Sequence, residues 1–255
     1  MKTICIDAGN TLIKIAFAED SVIQSVVSFS HDDIDRMLHH IIILPQADGC
    51  ILSSVSVVNE RVMDVLKQKA SHFMELTAAT PVPIRNLYKT PETLGKDRLA
   101  AIVGAYSLFP DRDILVFDAG TALTIDFIDR EGNYRGGNIS PGLNMRFRAL
   151  HDYTQKLSFQ SQTDDYEMIG DSTETAIISG VQNGIIFEMN CYIYHFVKNF
   201  PQLVTILTGG DVNFFANKIE MRIFAEPNLV IIGLEKIINF NLKLNKGPEE
   251  SGENT

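Results

Sequence analysis

One short motif occurs twice in this chain, a domain's length apart. Residues 5–17 read Cys-Ile-Asp-Ala-Gly-Asn-Thr-Leu-Ile-Lys-Ile-Ala-Phe, and residues 116–128 read Val-Phe-Asp-Ala-Gly-Thr-Ala-Leu-Thr-Ile-Asp-Phe-Ile. Setting Asp7 on Asp118 also sets Ala8 on Ala119, Gly9 on Gly120 and Leu12 on Leu123, an offset of 111 residues. That spacing is too long for a solenoid repeat and fits a duplicated domain. In each copy an apolar run (Thr3 to Ile6; Ile114 to Phe117) predicts a buried strand. Asp-Ala-Gly predicts a tight turn in which glycine is free to adopt φ > 0. A second run (Leu12 to Ala18; Leu123 to Ile128) predicts the return strand. The tips are small and polar, and Asn10, Thr11 and Thr121 offer hydrogen bonds there. A single Asp-x-Gly turn would carry no such weight; two at this spacing do.

The rest of the chain predicts two α/β halves, residues 1–112 and 113–244, followed by a solvated, mobile tail at 245–255 rich in Gly, Pro, Glu, Ser and Asn. In the first half, helices are expected over His31–Ile42, Asn59–His72 (with Asn59 as N-cap) and Arg98–Leu108, with a strand over Gly49–Val55. In the second half, helices are expected over Leu143–His151, Thr173–Phe200 and Leu229–Phe240, with a strand over Leu203–Leu207.

A hydrophobic share of 45% with 21% charged residues supplies a sizeable core. The 22 Lys and Arg against 32 Asp and Glu leave a net charge of −10, which argues against general nucleic-acid binding. An anionic ligand then needs a pocket lined by backbone N–H groups. Cys5, Cys50 and Cys191 lack metal or disulfide spacing and read as buried, reduced thiols. The six histidines show no ligand spacing and read as structural or surface residues. With no signal-like start and no long apolar run, the expected location is the cytoplasm, with no membrane contact.

Three glycine-containing turns, Asp7–Thr11, Asp118–Thr121 and Thr208–Asp211, each follow a predicted strand. Ligands of open α/β folds gather at such strand ends. Two tips facing across a cleft suit a triphosphate, with the third turn toward an adenosine. Neither GxxxxGK[ST] nor GxGxxG is present, so P-loop and Rossmann sites are excluded. Asp7 either bonds its own turn or holds Mg²⁺, directly or through water. Asp118 is a second candidate cation ligand. In Tyr88–Arg98, Asp97 is either a helix N-cap or a carboxylate that accepts a substrate hydroxyl proton, with Arg98 beside it for a substrate carboxylate or phosphate. Residues 135–142 (Arg-Gly-Gly-Asn-Ile-Ser-Pro-Gly) read as a glycine-rich bend entering a helix.

Taken in order, these motifs resemble the type III pantothenate kinase family across roughly residues 4–240. Asp7-Ala8-Gly9-Asn10-Thr11 with Lys14 resembles its first phosphate motif. Leu94-Gly95-Lys96-Asp97-Arg98 resembles its Gly-x-Asp-Arg substrate motif. Asp118-Ala119-Gly120-Thr121-Ala122 with Thr124 and Asp126 resembles its second phosphate motif. Gly136-Gly137-x-Ile139-x-Pro141-Gly142 and Thr173 resemble later family segments. The resemblance implies an actin-like fold of two ribonuclease-H-like halves with an active-site cleft between them, and a homodimer. It also implies transfer of the ATP γ-phosphate to the primary hydroxyl of pantothenate, with Mg²⁺ and a monovalent cation (K⁺ or NH₄⁺). By motif, Asp97 is the general base. ATP falls to Asp7, Ala8, Gly9, Asn10, Thr11, Leu12, Ile13, Lys14 and Thr121. Pantothenate falls to Tyr88, Gly95, Lys96, Asp97, Arg98 and Thr173, and the monovalent cation to Asp118. Lys96 departs from the pattern, which leads one to expect a small or apolar residue. Two other classes share the fold: another small-molecule kinase, for a sugar or acetate, and a non-catalytic nucleotide-binding regulator. The Leu-Gly-Lys-Asp-Arg run favours pantothenate, and Asp7, Asp97, Arg98 and Asp118 together favour an active enzyme.

Overall fold

The computed structural model describes residues 1–246. The chain forms two compact units: Met1–Leu108 together with the segment from Leu229 onward, and Phe109–Asn228.

The first unit holds β1 (Lys2–Ala8), β2 (Ile13–Glu19), β3 (Val22–Phe29), α1 (Ile34–Ile43), β4 (Ala47–Ser54), α2 (Glu60–Lys69), β5 (Ala70–Glu75), the two-residue β6 (Arg85–Asn86) and α3 (Lys96–Leu108). Its sheet runs β3-β2-β1-β4-β5. β1, β2 and β3 pair antiparallel, while β4 joins β1 and β5 joins β4 in parallel. The second unit holds β7 (Ile114–Ala119), β8 (Ala122–Ile128), β9 (Asn133–Pro141), α4 (Leu143–Asp152), α5 (Thr173–Asn199), β10 (Val204–Thr208), α6 (Val212–Phe215) and β11 (Phe224–Ala225). Its own strands follow the order β11-β10-β7-β8-β9. Pairing is again antiparallel through β7, β8 and β9, and parallel from β7 to β10 to β11. The two units thus share one strand order and one pattern of directions, which is the duplicated ribonuclease-H-like fold.

Several local expectations shift. α1 starts at Ile34 rather than His31, because Asp33 N donates to Ser30 O at 3.1 Å in a preceding turn. Asn59 caps α2 by accepting from Arg61 N at 3.0 Å. That helix stops at Lys69, and residues 70–72, read as its last turn, begin β5. Residues 135–141, read as a bend, belong to strand β9, where Gly136 takes φ 108° beside a register shift opposite Phe127. β3 was not anticipated; its residues Val22–Phe29 alternate weakly and are only partly buried. α7 (Leu229–Lys246), read as closing the second half, packs in the first unit against α3, β1 and β4. Of the expected mobile tail, 245 and 246 end α7, and 247–255 lie outside the described residues.

Alternation along β1 sends Ile4, Ile6 and Ala8 into one core with Met37 and Ile41 of α1 and Val62 and Leu66 of α2. The opposite face, carrying Thr3, Cys5 and Asp7, is the one that α7 covers. α3 is buried from Arg98 through Ala105, with no polar stripe. Such a helix needs neighbours on every side. It crosses α7 at backbone contact. A Cβ built on Gly233 would lie 1.7 Å from the Ala100 carbonyl oxygen, and one on Gly104 would lie 2.4 Å from the Leu229 carbonyl oxygen.

Gly233→Val is therefore expected to lower the unfolding free energy by about 3 kcal/mol, the upper end of overpacking costs. Gly180→Ala on α5, where a Cβ meets nothing within 4 Å, is expected to raise it by about 0.5–1 kcal/mol. Urea midpoints at constant m-value measure both, and a neutral Gly233→Val would refute the close crossing.

Candidate active site

The first hairpin tip spans residues 9–12. Gly9 N donates to Leu12 O at 3.1 Å. In the second tip Gly120 N donates to Ala122 O at the same distance. Ala8 pairs with Ile13, and Ala119 with Leu123. The first tip is thus one residue longer, and the partner of Leu123 is Ile13, not Leu12 as the sequence alignment set it. Exposure agrees: Leu12 is 45% exposed, Leu123 is 0% and Ile13 is 3%. Neither Gly9 nor Gly120 uses the freedom of glycine to take positive φ; of the three candidate turns only Thr208–Asp211 does so, at Gly209 (φ 97°).

The shift decides what stands beside each aspartate. Asp7 is flanked in register by Lys14 on β2 and Ser53 on β4. Asp118 is flanked by Thr124 on β8 and Thr208 on β10. The same backbone therefore carries a cation next to one carboxylate and two hydroxyls next to the other.

In the first unit, α3 begins with Lys96, Asp97 and Arg98. Asp97 is in the first turn, not ahead of it as an N-cap, and its Oδ1 accepts from Arg98 N at 2.8 Å. A side chain at position 95 would have its Cβ 2.5 Å from that oxygen, so glycine precedes the carboxylate for want of room. Arg98 is 5% exposed, and its guanidinium carbon lies 5.6 Å from the Tyr88 ring centre, within cation–π range. Tyr88, Gly95, Lys96, Asp97 and Arg98 therefore lie together.

Asp97 also reaches the tip electrostatically. Asp7 is pushed up to about 6, first by burial and then by the Asp97 charge, with Lys14 opposing. Two carboxylates near one lysine fit a hard divalent cation, which takes one or two protein carboxylates and completes its shell with phosphate and water. Among the described residues no group of three or more His, Cys, Asp or Glu is arranged to hold a metal alone. Sequence reasoning missed two further contacts. His31 Nε2 lies 3.0 Å from Gly9 O, and Ser56 Oγ lies 3.3 Å from the same oxygen. His31 carried no spacing signal, and Ser56 sits in a loop.

In the second unit, Gly142 N donates to Thr121 O at 3.2 Å, and Asp211 N donates to Ala119 O at 2.9 Å. A Cβ on Gly209 would lie 2.5 Å from Asp118 Oδ1 and 2.4 Å from Ala119 O. The Asp118 tip, Gly142 and the Thr208–Asp211 turn thus converge, and only a glycine fits at position 209, so close do the Ala119 carbonyl and the Asp118 carboxylate come to it. Burial pushes the Asp211 carboxyl up. Thr173 is the first residue of α5, exposed, behind a capping box in which Ser172 and Thr175 bond reciprocally. Cys5 and Cys50 are buried, and burial pushes Cys50 to about 12; Cys191, expected to be buried, is exposed on α5.

The family model described as type III pantothenate kinase matches residues 3–195. A type III pantothenate kinase of Phocaeicola vulgatus is 45% identical over 94% of this chain and 98% of its own length. Among solved structures, one described as a Baf family transcriptional activator from Campylobacter jejuni superposes with TM-score 0.58 at 24% identity, covering 94% of this chain and 99% of that one. A glucokinase from an Antarctic psychrotroph gives TM-score 0.52 at 10% identity over 94% and 99%. At those identities the structures support the fold alone.

The Asp7 shift fixes a sign for stability. Unfolded, its carboxyl titrates near 3.8; folded, near 6. Between those values the folded state holds the extra proton, so stability falls as pH rises through about 4 to 6 and stays lower above. Without nucleotide or Mg²⁺, Asp7→Asn is expected to gain on the parent progressively across that window and to hold a constant advantage above it. Urea midpoints at pH 4, 5, 6 and 7 test this; a pH-independent difference would clear Asp7.

Proposed function

The chain belongs to the type III pantothenate kinase family, and from that premise we propose that it transfers the γ-phosphate of ATP to the primary hydroxyl of pantothenate, the first step toward coenzyme A. The observation that carries this reading is Asp97 within electrostatic reach of the Asp7–Lys14 tip, inside one unit.

Phosphoryl transfer passes through a loose transition state, so positioning and charge neutralisation dominate. Asp97 is the general base: it accepts the pantothenate hydroxyl proton and holds that oxygen toward phosphorus. With Oδ1 engaged by Arg98 N, the second carboxylate oxygen serves the hydroxyl. Arg98 clamps the pantothenate carboxylate, its planar guanidinium held in place over the Tyr88 ring. Gly95, Lys96 and Thr173 complete the acceptor contacts. Asp7, Ala8, Gly9, Asn10, Thr11, Leu12, Ile13, Lys14 and Thr121 bind ATP, with tip N–H groups and the Lys14 ammonium facing phosphate. Asp7 would hold Mg²⁺, directly or through water, and the ion would neutralise phosphate charge when bound with ATP. Asp118 would hold K⁺ or NH₄⁺; the oxygen-bearing Thr124 and Thr208 that flank it in register support that role. We read the enzyme as a cytoplasmic homodimer with no nucleic-acid or membrane partner. Its three free cysteines fit a reducing compartment. Half-exposed Phe187 and Tyr194, with exposed Cys191 between them on one face of α5, supply an apolar stripe for a second copy. Among the described residues no helix is long and apolar enough to cross a membrane.

ATP consumption with Mg²⁺, with and without pantothenate, in potassium and then sodium-only buffer, tests the reaction. Pantothenate-dependent turnover that needs potassium is expected; turnover only with a sugar or acetate would replace the acceptor. Asp97→Asn is expected to leave ATP binding intact and to lower kcat by roughly two to four decades, the span of general-base catalysis. An unchanged kcat would take that role away from Asp97.

A further inference from the structure

The contacts behind the first tip go beyond the residues assigned so far. They rest on the reading that residues 9–12 face the nucleotide. The Gly9 carbonyl is approached by two side chains from distant parts of the first unit: His31 Nε2 at 3.0 Å, 22 residues along the chain, and Ser56 Oγ at 3.3 Å, 47 residues along. A carbonyl only accepts, so His31 Nε2 carries its proton in this arrangement. Ser56 Oγ also lies 3.4 Å from Ala8 O, and Val55 N donates to that oxygen at 3.1 Å. Val55 and Ser56, just past β4, therefore hold the back of the tip, and His31 holds it from the turn before α1.

The consequence follows from peptide geometry. Every peptide bond among the described residues is trans, and in a trans peptide the carbonyl and the following N–H point in opposite directions. Fixing Gly9 O toward His31 and Ser56 aims Asn10 N–H the other way, away from those two side chains, and Asn10 is exposed. We infer that His31, assisted by Ser56, is a positioning residue for nucleotide binding: it fixes the Gly9–Asn10 peptide so that its N–H meets a phosphoryl oxygen of ATP. The preorganised donor counts most where charge collects on phosphate.

His31→Phe keeps a ring and removes the donor, whereas His31→Gln keeps an N–H at comparable reach. The expected result is a rise in KM for ATP of roughly three- to tenfold in His31→Phe, the worth of one hydrogen bond. KM for pantothenate should stay within about twofold, and His31→Gln should recover most of the loss. A KM for ATP that does not move, or a rise in both KM values that His31→Gln fails to restore, overturns the inference and leaves His31 as scaffold. Should His31→Phe not fold, Ser56→Ala gives the same reading from the second donor. Thr11→Ala separates the two levels. If it raises KM for ATP while His31→Phe does not, the inference fails and the tip keeps its nucleotide. If neither moves KM for ATP, the nucleotide reading of the tip fails, and the inference with it.

Discussion

The crossing of α3 and α7 at Gly104 and Gly233 is the constraint from which the site's geometry descends. No side chain intervenes there, so the depth of α3 is set by backbone meeting backbone. α3 carries Asp97 and Arg98 on its first turn, and it is buried from Arg98 through Ala105. Its position therefore has little freedom, and that rigidity is what holds a carboxylate beside the Asp7 tip. Sheet alternation supplies the other half of the arrangement. Asp7 shares the face of β1 with Thr3 and Cys5, opposite the core of α1 and α2, and so faces the side that α7 covers.

Duplication gives two tips of one topology, and a one-residue difference in loop length gives them different chemistry. With four residues between Ala8 and Ile13, Lys14 comes opposite Asp7. With three between Ala119 and Leu123, Thr124 comes opposite Asp118. One tip gains an ammonium beside its carboxylate; the other keeps a carboxylate among hydroxyls and glycine. Asp7 remains hard to ionise even with Lys14 opposite, because burial and the Asp97 charge outweigh one lysine. An added positive charge there would offset both carboxylates and lower the cost of ionising Asp7.

Much of this was legible in the sequence because it depended on local grammar. The repeated Asp-Ala-Gly, the runs before and after it, the Asn59 cap and the Gly-Lys-Asp-Arg helix start all act within a few residues. What was not legible depended on register and on distant packing. Leu12 and Leu123 are identical in the alignment, yet one is exposed and the other buried, since only the cross-strand pairing tells a four-residue loop from a three-residue one. Gly209 is part of a predicted turn, but its positive φ and the closeness of the Ala119 carbonyl and the Asp118 carboxylate to it are set by the fold. α7 looked like the end of the second half because it follows it in sequence; its partners lie more than a hundred residues earlier. His31 carried no signal, since its bond to Gly9 joins segments that only the fold brings together.

The placement of α7 has a consequence for how the chain is made. Synthesis runs from the N-terminus, and domains tend to fold as they emerge. The second unit is contained in one continuous stretch, 109–228, and has all its strands once that stretch is out. The first unit is split around it. Until α7 is synthesised, α3 and the Cys5 face of β1 stand without their cover, and their apolar surface has no partner. The half that is translated first is therefore the half completed last, and during that interval the nascent chain is most exposed to aggregation and to chaperones.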